Sequence, residues 1–454
     1  MRLQIFLPRP ASVPARAGTR PSESILLSVV RGSAPRDEWE KSGVRRSGKF
    51  TGAAAILAGV VLLAACGTNQ SSSSAAGGSS CDSSKGSLVI GLIAPLSGGL
   101  SAIGLGMKNS ADLAIRQAND KCAVPGYRLV FQPDDDQGTP QVAAQAATEL
   151  ASDPNIAAVV GTYNSSTAQS VAPILEQQNI VEVSSGNTDP ALTMGPQAAT
   201  APKRQFPTYF RLATTDLLQG PFGAQYLVQK AGKKRIAVID DGKTYGVGLT
   251  ENFVKEAKQL GADVVAQERV GEHDTDFSSV IAKIRPMNPD AVYYGGEFPV
   301  AGPLSKQLAD AGLAIPVMGG DGIADKQYVT LGGRQGDLAT GIGAPVESLP
   351  SAKTFTDAYA AAGYTDSYSA YGPLTYDSAN VIINALAKVV KNGDFGGSRR
   401  QDLVDAVQQT NLDGTSGKVS FDQYGDTTNK VLTVYTVQGD NFAPVTTGTF
   451  TEPR

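Results

Sequence analysis

The feature that most constrains this chain is a regular alternation between short apolar runs and longer segments with helical periodicity. The run "SLVIGLIAPL" is followed by "GLGMKNSADLAIRQANDK", in which Met107, Ala111 and Ala114 recur at the spacing of one helix face. Runs that are apolar throughout are typical of strands buried on both faces, as in parallel sheets covered by helices. The alternation therefore predicts an α/β fold.

The alternation occurs in two consecutive series, separated near "YFRLAT". The folded part, about 365 residues, is longer than a single hydrophobic core usually grows. We therefore predict two doubly wound parallel-sheet lobes. Helices are expected to follow at 351–362, 376–391 and 399–410, and then an antiparallel pair formed by "GKVSFDQYGD" and "VLTVYTVQGDNF".

The N-terminal region carries an apolar run, residues 53–65, that is too short for a membrane-spanning helix, which needs about 20 residues. Arg45, Arg46 and Lys49 precede it, and it ends in "LAAC", which resembles the lipobox of bacterial lipoproteins. This layout predicts a signal peptide over 1–65 that is removed before Cys66, whose thiol then carries a lipid. The alternative is a buried core helix with an inert thiol, which the following Ser/Gly-rich segment disfavours.

The residues before Val44 are Pro-rich and contain the acidic "RDEWEK", which is unusual in a signal peptide, so we expect the true start near Val44. Residues 66–86 then form the lipidated cysteine and a flexible tether. The predicted localisation is extracytoplasmic, with the protein anchored to the cell membrane through Cys66.

The chain has three cysteines and one histidine. With Cys66 lipidated, Cys81 and Cys122 remain, placed before the first predicted strand and after the first predicted helix. A βα unit can bring those ends together, so we predict a Cys81–Cys122 disulfide in an oxidising compartment, with two free thiols as the alternative. A single histidine, His273, and the lack of a Cys-x-x-Cys motif argue against a zinc site, and no metal or cofactor is predicted.

The sequence lacks the usual signals of an enzyme or a nucleic-acid-binding protein. Its 39 basic and 43 acidic residues include no basic block, which argues against nucleic acid as a partner. No Gly-x-Ser-x-Gly elbow precedes a helix, and "IAVIDDGKT" has Ala237 where a phosphate-binding loop needs glycine. Asp134–Asp136 are predicted to form a solvated strand-end loop in preference to a cation site.

Small polar residues follow several predicted strands, where ligands of open α/β sheets bind. In "GTYNSSTAQS", Ser165, Ser166 and Thr167 begin a helix, and their hydroxyl and N–H groups suit a carboxylate. For Ser166 and Thr167 plain N-capping is the favoured interpretation. "VSSGNTDPALT", "DDGKTYG" and "GGDG" supply further polar or aromatic residues at such turns.

These stretches carry a family resemblance. "IGLIAPLSG", "GTYNSSTAQ", "GNTDPALT", "DDGKTYGVGL", "DFSSVIAKI", "VYYGG" and "MGGDGIAD" resemble, in order and spacing, the branched-chain amino acid binding proteins of bacterial ABC transporters. That family has the type I periplasmic-binding fold, in which two lobes joined by three crossings close on a ligand. The resemblance implies crossings near Asp216, Pro345 and Val431. Lobe 1 would then comprise 87–215 and 346–430, and lobe 2 would comprise 216–345 and 431–454.

The resemblance also implies a ligand site. Ser165 and Thr188 would bind the α-carboxylate by hydroxyl and backbone N–H groups, with the backbone of Gly186 and Asn187 lining that side. Asp321 would pair with the ammonium group, although it is one methylene shorter than the family's usual glutamate.

Three more residues complete this predicted site. Tyr245 would cover the ligand from the second lobe, whereas Tyr376 either lines the side-chain pocket or has a structural role in its helix. Glu297 stands where tyrosine follows "YYGG" in leucine binders, and a carboxylate there suits a polar or basic ligand.

The resemblance thus implies a lipid-anchored solute-binding protein without catalytic activity. It would capture an amino acid or related small solute and deliver it to an ABC permease. Alternatives are a ligand-sensing receptor domain of the same fold and a binder of a short amide or urea. A secreted hydrolase is a third class, which the missing nucleophile–base pair argues against.

Overall fold

The structure, a computed structural model, describes residues 81–450. The predicted signal peptide, Cys66 and most of the tether lie outside the described residues. The strands are β1 (Ser87–Ala94), β2 (Arg128–Asp135), β3 (Ile156–Gly161), β4 (Val181–Ser184), β5 (Tyr209–Arg211), β6 (Arg235–Asp240), β7 (Asp263–Arg269), β8 (Ala291–Gly295), β9 (Val317–Gly319), β10 (Leu338–Ile342), β11 (Asn411–Gly414), β12 (Gly417–Ser420), β13 (Val431–Gln438) and β14 (Asn441–Thr449).

The helices alternate with these strands over most of the chain. They are α1 (Ser101–Asp120), α2 (Pro140–Ser152), α3 (Ser165–Gln177), α4 (Ala191–Met194), α5 (Asp216–Gln225), α6 (Thr244–Gln259), α7 (Ser278–Ile284), α8 (Phe298–Asp310), α9 (Lys326–Thr330), α10 (Ala352–Ala361), α11 (Gly372–Val389) and α12 (Arg400–Gln408). Within residues 81–450, none of these helices combines the length and hydropathy that a membrane span requires.

The first sheet has five parallel strands in the order β2-β1-β3-β4-β5. Its strand β1 is buried on both faces, as its apolar sequence predicts. Ile90 and Leu92 pack in one hydrophobic cluster with α1 and α11, whereas Val89 and Ile93 pack in another with α2 and α3. This alternation follows from side chains pointing to opposite faces of a strand.

The second sheet has seven strands in the order β14-β13-β10-β9-β8-β6-β7. Strands β6 to β10 are parallel, but β13 runs antiparallel to β10 and forms a hairpin with β14. The predicted parallel sheet is therefore mixed at this edge. The predicted pairing of "GKVSFDQYGD" with "VLTVYTVQGDNF" is wrong, because β12 pairs with β11 in a separate small sheet.

The chain passes between the two sheets three times, after β5, after β10 and after β12. Helix α11 contacts β3 and β4, which places it on the first sheet although it follows β10. At the start of the first sheet a disulfide joins Cys81 to Cys122, whose Cα atoms are 5.4 Å apart. The predicted pairing is therefore present in the structure.

Candidate functional site

The candidate site lies where the carboxyl ends of strands from both sheets face each other. From the first sheet come the turns after β3 and β4, which carry Ser165 and Thr188. From the second come the turns after β6 and β9, which carry Tyr245 and Asp321. Parallel strands put their carboxyl ends at one edge, so residues far apart in sequence meet there.

Asp321 is the most elaborately bound side chain of the site and is 5% exposed. Its Oδ1 accepts hydrogen bonds from the Tyr245 hydroxyl at 2.8 Å and from Gln219 Nε2 at 3.0 Å. Its Oδ2 accepts one from the Tyr371 hydroxyl at 2.8 Å. All three donors are neutral. They satisfy the hydrogen-bonding capacity of the carboxylate but do not neutralise its negative charge.

No ion pair to Asp321 occurs within residues 81–450. Burial raises the pKa of its carboxyl, and the hydrogen bonds from Tyr371, Gln219 and Tyr245 oppose that rise. A buried carboxylate that has hydrogen-bond donors but no cationic partner is suited to bind a cationic group of a ligand.

Helix α5 connects the two sides of the site. Gln219 bonds Asp321, and Asp216, one turn earlier on the same face, accepts a hydrogen bond from the Thr188 hydroxyl at 3.0 Å. Asp216 is fully buried, and burial, followed by the charge of Asp321, raises its pKa well above the usual range. The Thr188 hydroxyl has Asp216 as its partner, and this bond fixes the turn after β4 against helix α5.

The opposite wall presents backbone N–H groups. Helix α3 begins at Ser165; the Thr167 N–H bonds the Asn164 carbonyl at 3.1 Å, whereas the N–H groups of Ser165 and Ser166 have no partner among the described residues. The N–H of Thr188 has no hydrogen-bond partner among the described residues. The Ser165 hydroxyl accepts a bond from the Asp189 N–H at 3.3 Å. Free N–H groups at a helix start favour a carboxylate.

Gly186 and Asn187 hold this wall in shape. A side chain on Gly186 would lie 2.9 Å from the Tyr163 ring, so only glycine fits there. The Asn187 side chain is consumed by the fold, because it donates to the Tyr163 carbonyl at 2.8 Å and accepts from the Tyr209 hydroxyl at 2.8 Å. The backbone N–H groups of Gly186 and Asn187 donate to the Ser184 hydroxyl at 3.2 and 3.0 Å, so the predicted role of this backbone in lining the ligand stays a prediction.

Tyr376 does not join the other predicted residues. Its hydroxyl donates to Gln117 of α1 at 2.5 Å, and its ring packs 5.1 Å from that of Phe355. The structural alternative considered for Tyr376 describes these contacts. The tyrosine that reaches the site is Tyr371, just before α11, whose ring meets Tyr163 edge-on at 4.9 Å.

Glu297 crosses between the lobes. One of its carboxylate oxygens accepts a hydrogen bond from Asn164, which immediately precedes α3. The other lies 3.4 Å from Lys243, which also pairs with Glu272 at 2.8 Å. Glu297 thus has a cationic partner where Asp321 has none, and its predicted effect on ligand charge remains a prediction.

One prediction from the sequence is wrong at Asp136. The Asp134–Asp136 loop is predicted to be solvated, yet Asp136 is fully buried. Its Oδ1 accepts from the Gly138 N–H at 2.8 Å, whereas its Oδ2 has no partner within the described residues. Burial raises the pKa of Asp136 to about 7, with Asp135 and Glu297 adding to the rise and Lys243 opposing it.

We expect neutralisation of Asp136 to stabilise the protein at alkaline pH. Because its folded pKa of about 7 exceeds the usual 3.8, its contribution to stability is present below pH 4 and is lost as the pH rises through 7. Asp136→Asn should therefore raise the free energy of unfolding by about 1–3 kcal/mol at pH 8, and by less at pH 5. Urea unfolding at both pH values measures this difference.

The control for this experiment is Asp310→Asn, which removes a carboxyl that is 60% exposed. Its effect should be small and the same at both pH values. An Asp136→Asn variant that is less stable than wild type at pH 8 would mean that the carboxylate has a favourable partner in solution.

Several residues of the site escape prediction from sequence. Asp216 and Gln219 follow β5 in "TTDLLQG", where polar residues at the start of an apolar helix are a usable signal. Tyr371 also precedes a helix start, marked by Gly372-Pro373, and so carries the same signal. Asn164 and Lys243 offer none, because their roles depend on contacts with Glu297, which is far from both in sequence.

Comparison with known proteins shows which sequences this chain resembles. The sequence matches the family described as periplasmic binding protein over residues 87–441. A Leu/Ile/Val-binding protein from Rhizobium johnstonii is 29% identical over 355 residues, which cover 77% of this chain and 91% of the relative. A Leu/Ile/Val-binding protein homologue from Brucella melitensis is 32% identical over 255 residues, covering 56% of this chain and 67% of the relative.

The fold also has close structural counterparts. The crystal structure of a leucine-binding protein from Thermotoga maritima superimposes with a TM-score of 0.70 at 26% identity. The match covers 79% of this chain and 98% of that protein. The match thus extends over nearly the whole of that protein.

Proposed function

Because the chain belongs to the periplasmic binding proteins, a family of extracytoplasmic solute-binding proteins and not of enzymes, we propose that it captures an α-amino acid between its lobes and delivers it to the permease of an ABC transporter. The relatives named above bind leucine, isoleucine or valine by their names. An amino acid with an apolar side chain is therefore the first ligand to consider.

The observation that carries this proposal is the unbalanced, buried carboxylate of Asp321. An ammonium group placed against it gains a charge-assisted bond in a site already desolvated. The free N–H groups of Ser165 and Thr188 offer the carboxylate of the same ligand its partners. We propose that these two hold the carboxylate and that the backbone of Gly186 and Asn187 lines that side. Tyr245 and Tyr371 enclose the ammonium with Asp321.

We further propose that lobe 1 comprises 87–215 and 346–430 and that lobe 2 comprises 216–345 and 431–454. Sheet membership and the three crossings support this division. Hydrogen bonds then join the lobes: Asn164 to Glu297, Tyr371 to Asp321, and Thr244 to Gln169 at 3.1 Å. A ligand that bridges Ser165 and Asp321 would favour this closed arrangement.

Isothermal titration of residues 81–454 with a panel of amino acids, short amides and urea tests the proposal. We expect heat of binding with at least one α-amino acid and none with its N-acetyl form, which lacks the ammonium charge. Binding of an amide or urea alone would instead favour the alternative solute class. No binding by any compound with both an amine and a carboxylate would refute the roles given to Ser165 and Asp321.

We also propose that the mature protein begins at Cys66 and is held at the cell membrane by a lipid on its thiol. The "LAAC" sequence after an apolar run and basic residues supports this. In cells that make the full chain, Cys66→Ser should move the protein from the membrane fraction to the soluble fraction and abolish labelling by radioactive palmitate. The control Ser80→Ala should leave both unchanged, and palmitate labelling that survives Cys66→Ser would contradict the anchor.

A further inference from the structure

A cavity of about 910 Å³ is lined by residues of both proposed lobes and adjoins Asp321. Its walls come from the crossing segment after β10, the loop before α11 and the β13–β14 hairpin. Ser165, Thr188 and Tyr245 do not line it, whereas Asp321 and Tyr371 form the wall that it shares with the amino acid site. Its volume falls within the range of small-molecule sites, about 300–1,000 Å³.

The charges of this cavity are strongly unequal. Its lining contains four carboxylates, Asp321, Asp325, Glu347 and Asp366, against the single ammonium of Lys326. None of these five groups takes part in an ion pair within residues 81–450. Four carboxylates against one ammonium give the cavity a net negative charge, which attracts cations and repels anions.

Aromatic rings supply the rest of the recognition surface. Tyr368, Tyr371, Tyr435 and Phe442 all contribute to the lining. Burial raises the pKa of Tyr435 to about 12, and the charge of Glu347 adds to the rise, so Glu347 lies near enough to act on the Tyr435 hydroxyl. Aromatic faces next to carboxylates are the combination that binds organic cations, which need both charge and apolar contact.

We propose that this cavity is a second binding site, for a small organic cation with an apolar body, separate from the amino acid site. Size, unequal charge and aromatic lining point to the same class of ligand. An inorganic cation would leave most of the volume empty, and an anion would meet uncompensated carboxylates. Both lobes contribute to the walls, so a ligand in the cavity contacts both lobes at once.

Titration calorimetry with benzyltrimethylammonium, using residues 81–454, tests this proposal. Benzyl alcohol and benzoate serve as neutral and anionic probes with the same ring. We expect the cation to bind at least about ten-fold more tightly than benzyl alcohol, and benzoate not to bind. Glu347→Gln and Tyr435→Leu should each weaken binding of the cation about three- to five-fold.

The matched control is Glu251→Gln, an exposed carboxyl on α6 far from the cavity lining, which should leave cation binding unchanged. Equal affinities for the cation and benzyl alcohol would overturn the proposal, as would cation binding that Glu347→Gln does not weaken. Displacement of the probe by a saturating amino acid would place it in the amino acid site and overturn the second site. Cation binding without any amino acid binding would support this site while refuting the proposed amino acid ligand.

Discussion

Asp321→Asn is expected to weaken amino acid binding by about 100-fold or more, because removing one partner of a buried charge pair costs about 2–5 kcal/mol. The substitution keeps the shape of the side chain and leaves an oxygen that can accept from Tyr245 and Gln219. What it removes is the negative charge that faces the ligand's ammonium. Titration calorimetry with the amino acid that binds wild type most tightly measures the loss.

The same substitution should leave the unliganded protein as stable as wild type or more so. Burial raises the pKa of Asp321, which means that the ionised carboxylate is unfavourable in the folded state until a cation arrives. Reduced binding together with unchanged or raised unfolding free energy therefore separates a loss of recognition from a loss of folding. Binding sites often carry such strain at the expense of stability.

Two controls sharpen this test. Asp325→Asn alters a half-buried aspartate four residues away, whose Oδ1 accepts from the Gln327 N–H at 2.8 Å, and it should leave amino acid affinity within about two-fold of wild type. A 2-hydroxy analogue of the ligand, which lacks the ammonium, should bind wild type poorly but should lose little more on Asp321→Asn. If the amino acid and its hydroxy analogue lose affinity equally, Asp321 does not pair with the ammonium.

Local sequence signals predict the framework of this protein and the positions that face its cleft. Strands such as β1 are apolar throughout because helices cover both faces, so their class is evident from sequence. Turns after β3, β4, β6 and β9 are marked by small or polar residues, and the structure brings those turns together. The mixed edge of the second sheet is less evident, since an isolated strand such as β12 does not reveal which neighbour it pairs with.

Local sequence signals do not predict the contacts that cross between the lobes. Glu297 accepts a hydrogen bond from Asn164, 133 residues away in sequence, and Asp321 accepts one from Tyr371, 50 residues away. The helix start after Tyr371 marks that residue as a candidate, but it does not show that the Tyr371 hydroxyl reaches Asp321 of the other lobe, whereas the Tyr376 hydroxyl bonds Gln117 of α1. The sequence predicts Asp136 to be a solvated loop residue, because its burial arises only when the whole fold has assembled.

The turn that carries Thr188 is held by one buried ion pair. Arg211, at the end of β5, is fully buried and donates from Nε to Asp426 at 2.5 Å. Its other nitrogens donate to the Asp189 carbonyl at 2.6 Å, the Asn187 carbonyl at 3.3 Å and the Thr193 hydroxyl at 2.6 Å. The guanidinium therefore ties the loop after β4 to the segment before β13.

We expect Arg211→Met to lower the free energy of unfolding by about 3–5 kcal/mol, because it leaves Asp426 buried without its charge partner. The carbonyls of Asn187 and Asp189 also lose their donors, so amino acid binding should weaken in the variant molecules that fold. Adding Asp426→Leu should restore part of the stability, since the double variant no longer buries a lone charge. Urea unfolding of the single and double variants at pH 7 measures both effects.

An exposed Arg–Asp pair serves as a control that separates the effect of burial on stability from the effect of charge. Arg235 and Asp263 are 3.0 Å apart, with side chains 47% and 61% exposed, so Asp263→Asn should cost at most about 1 kcal/mol. Asp426→Asn is the matched change at the buried pair and should cost several times more, because Arg211 then keeps its charge without a counter-ion. Equal losses from Asp426→Asn and Asp263→Asn would show that Arg211 has another partner in solution, and the Thr188 turn would not depend on this pair.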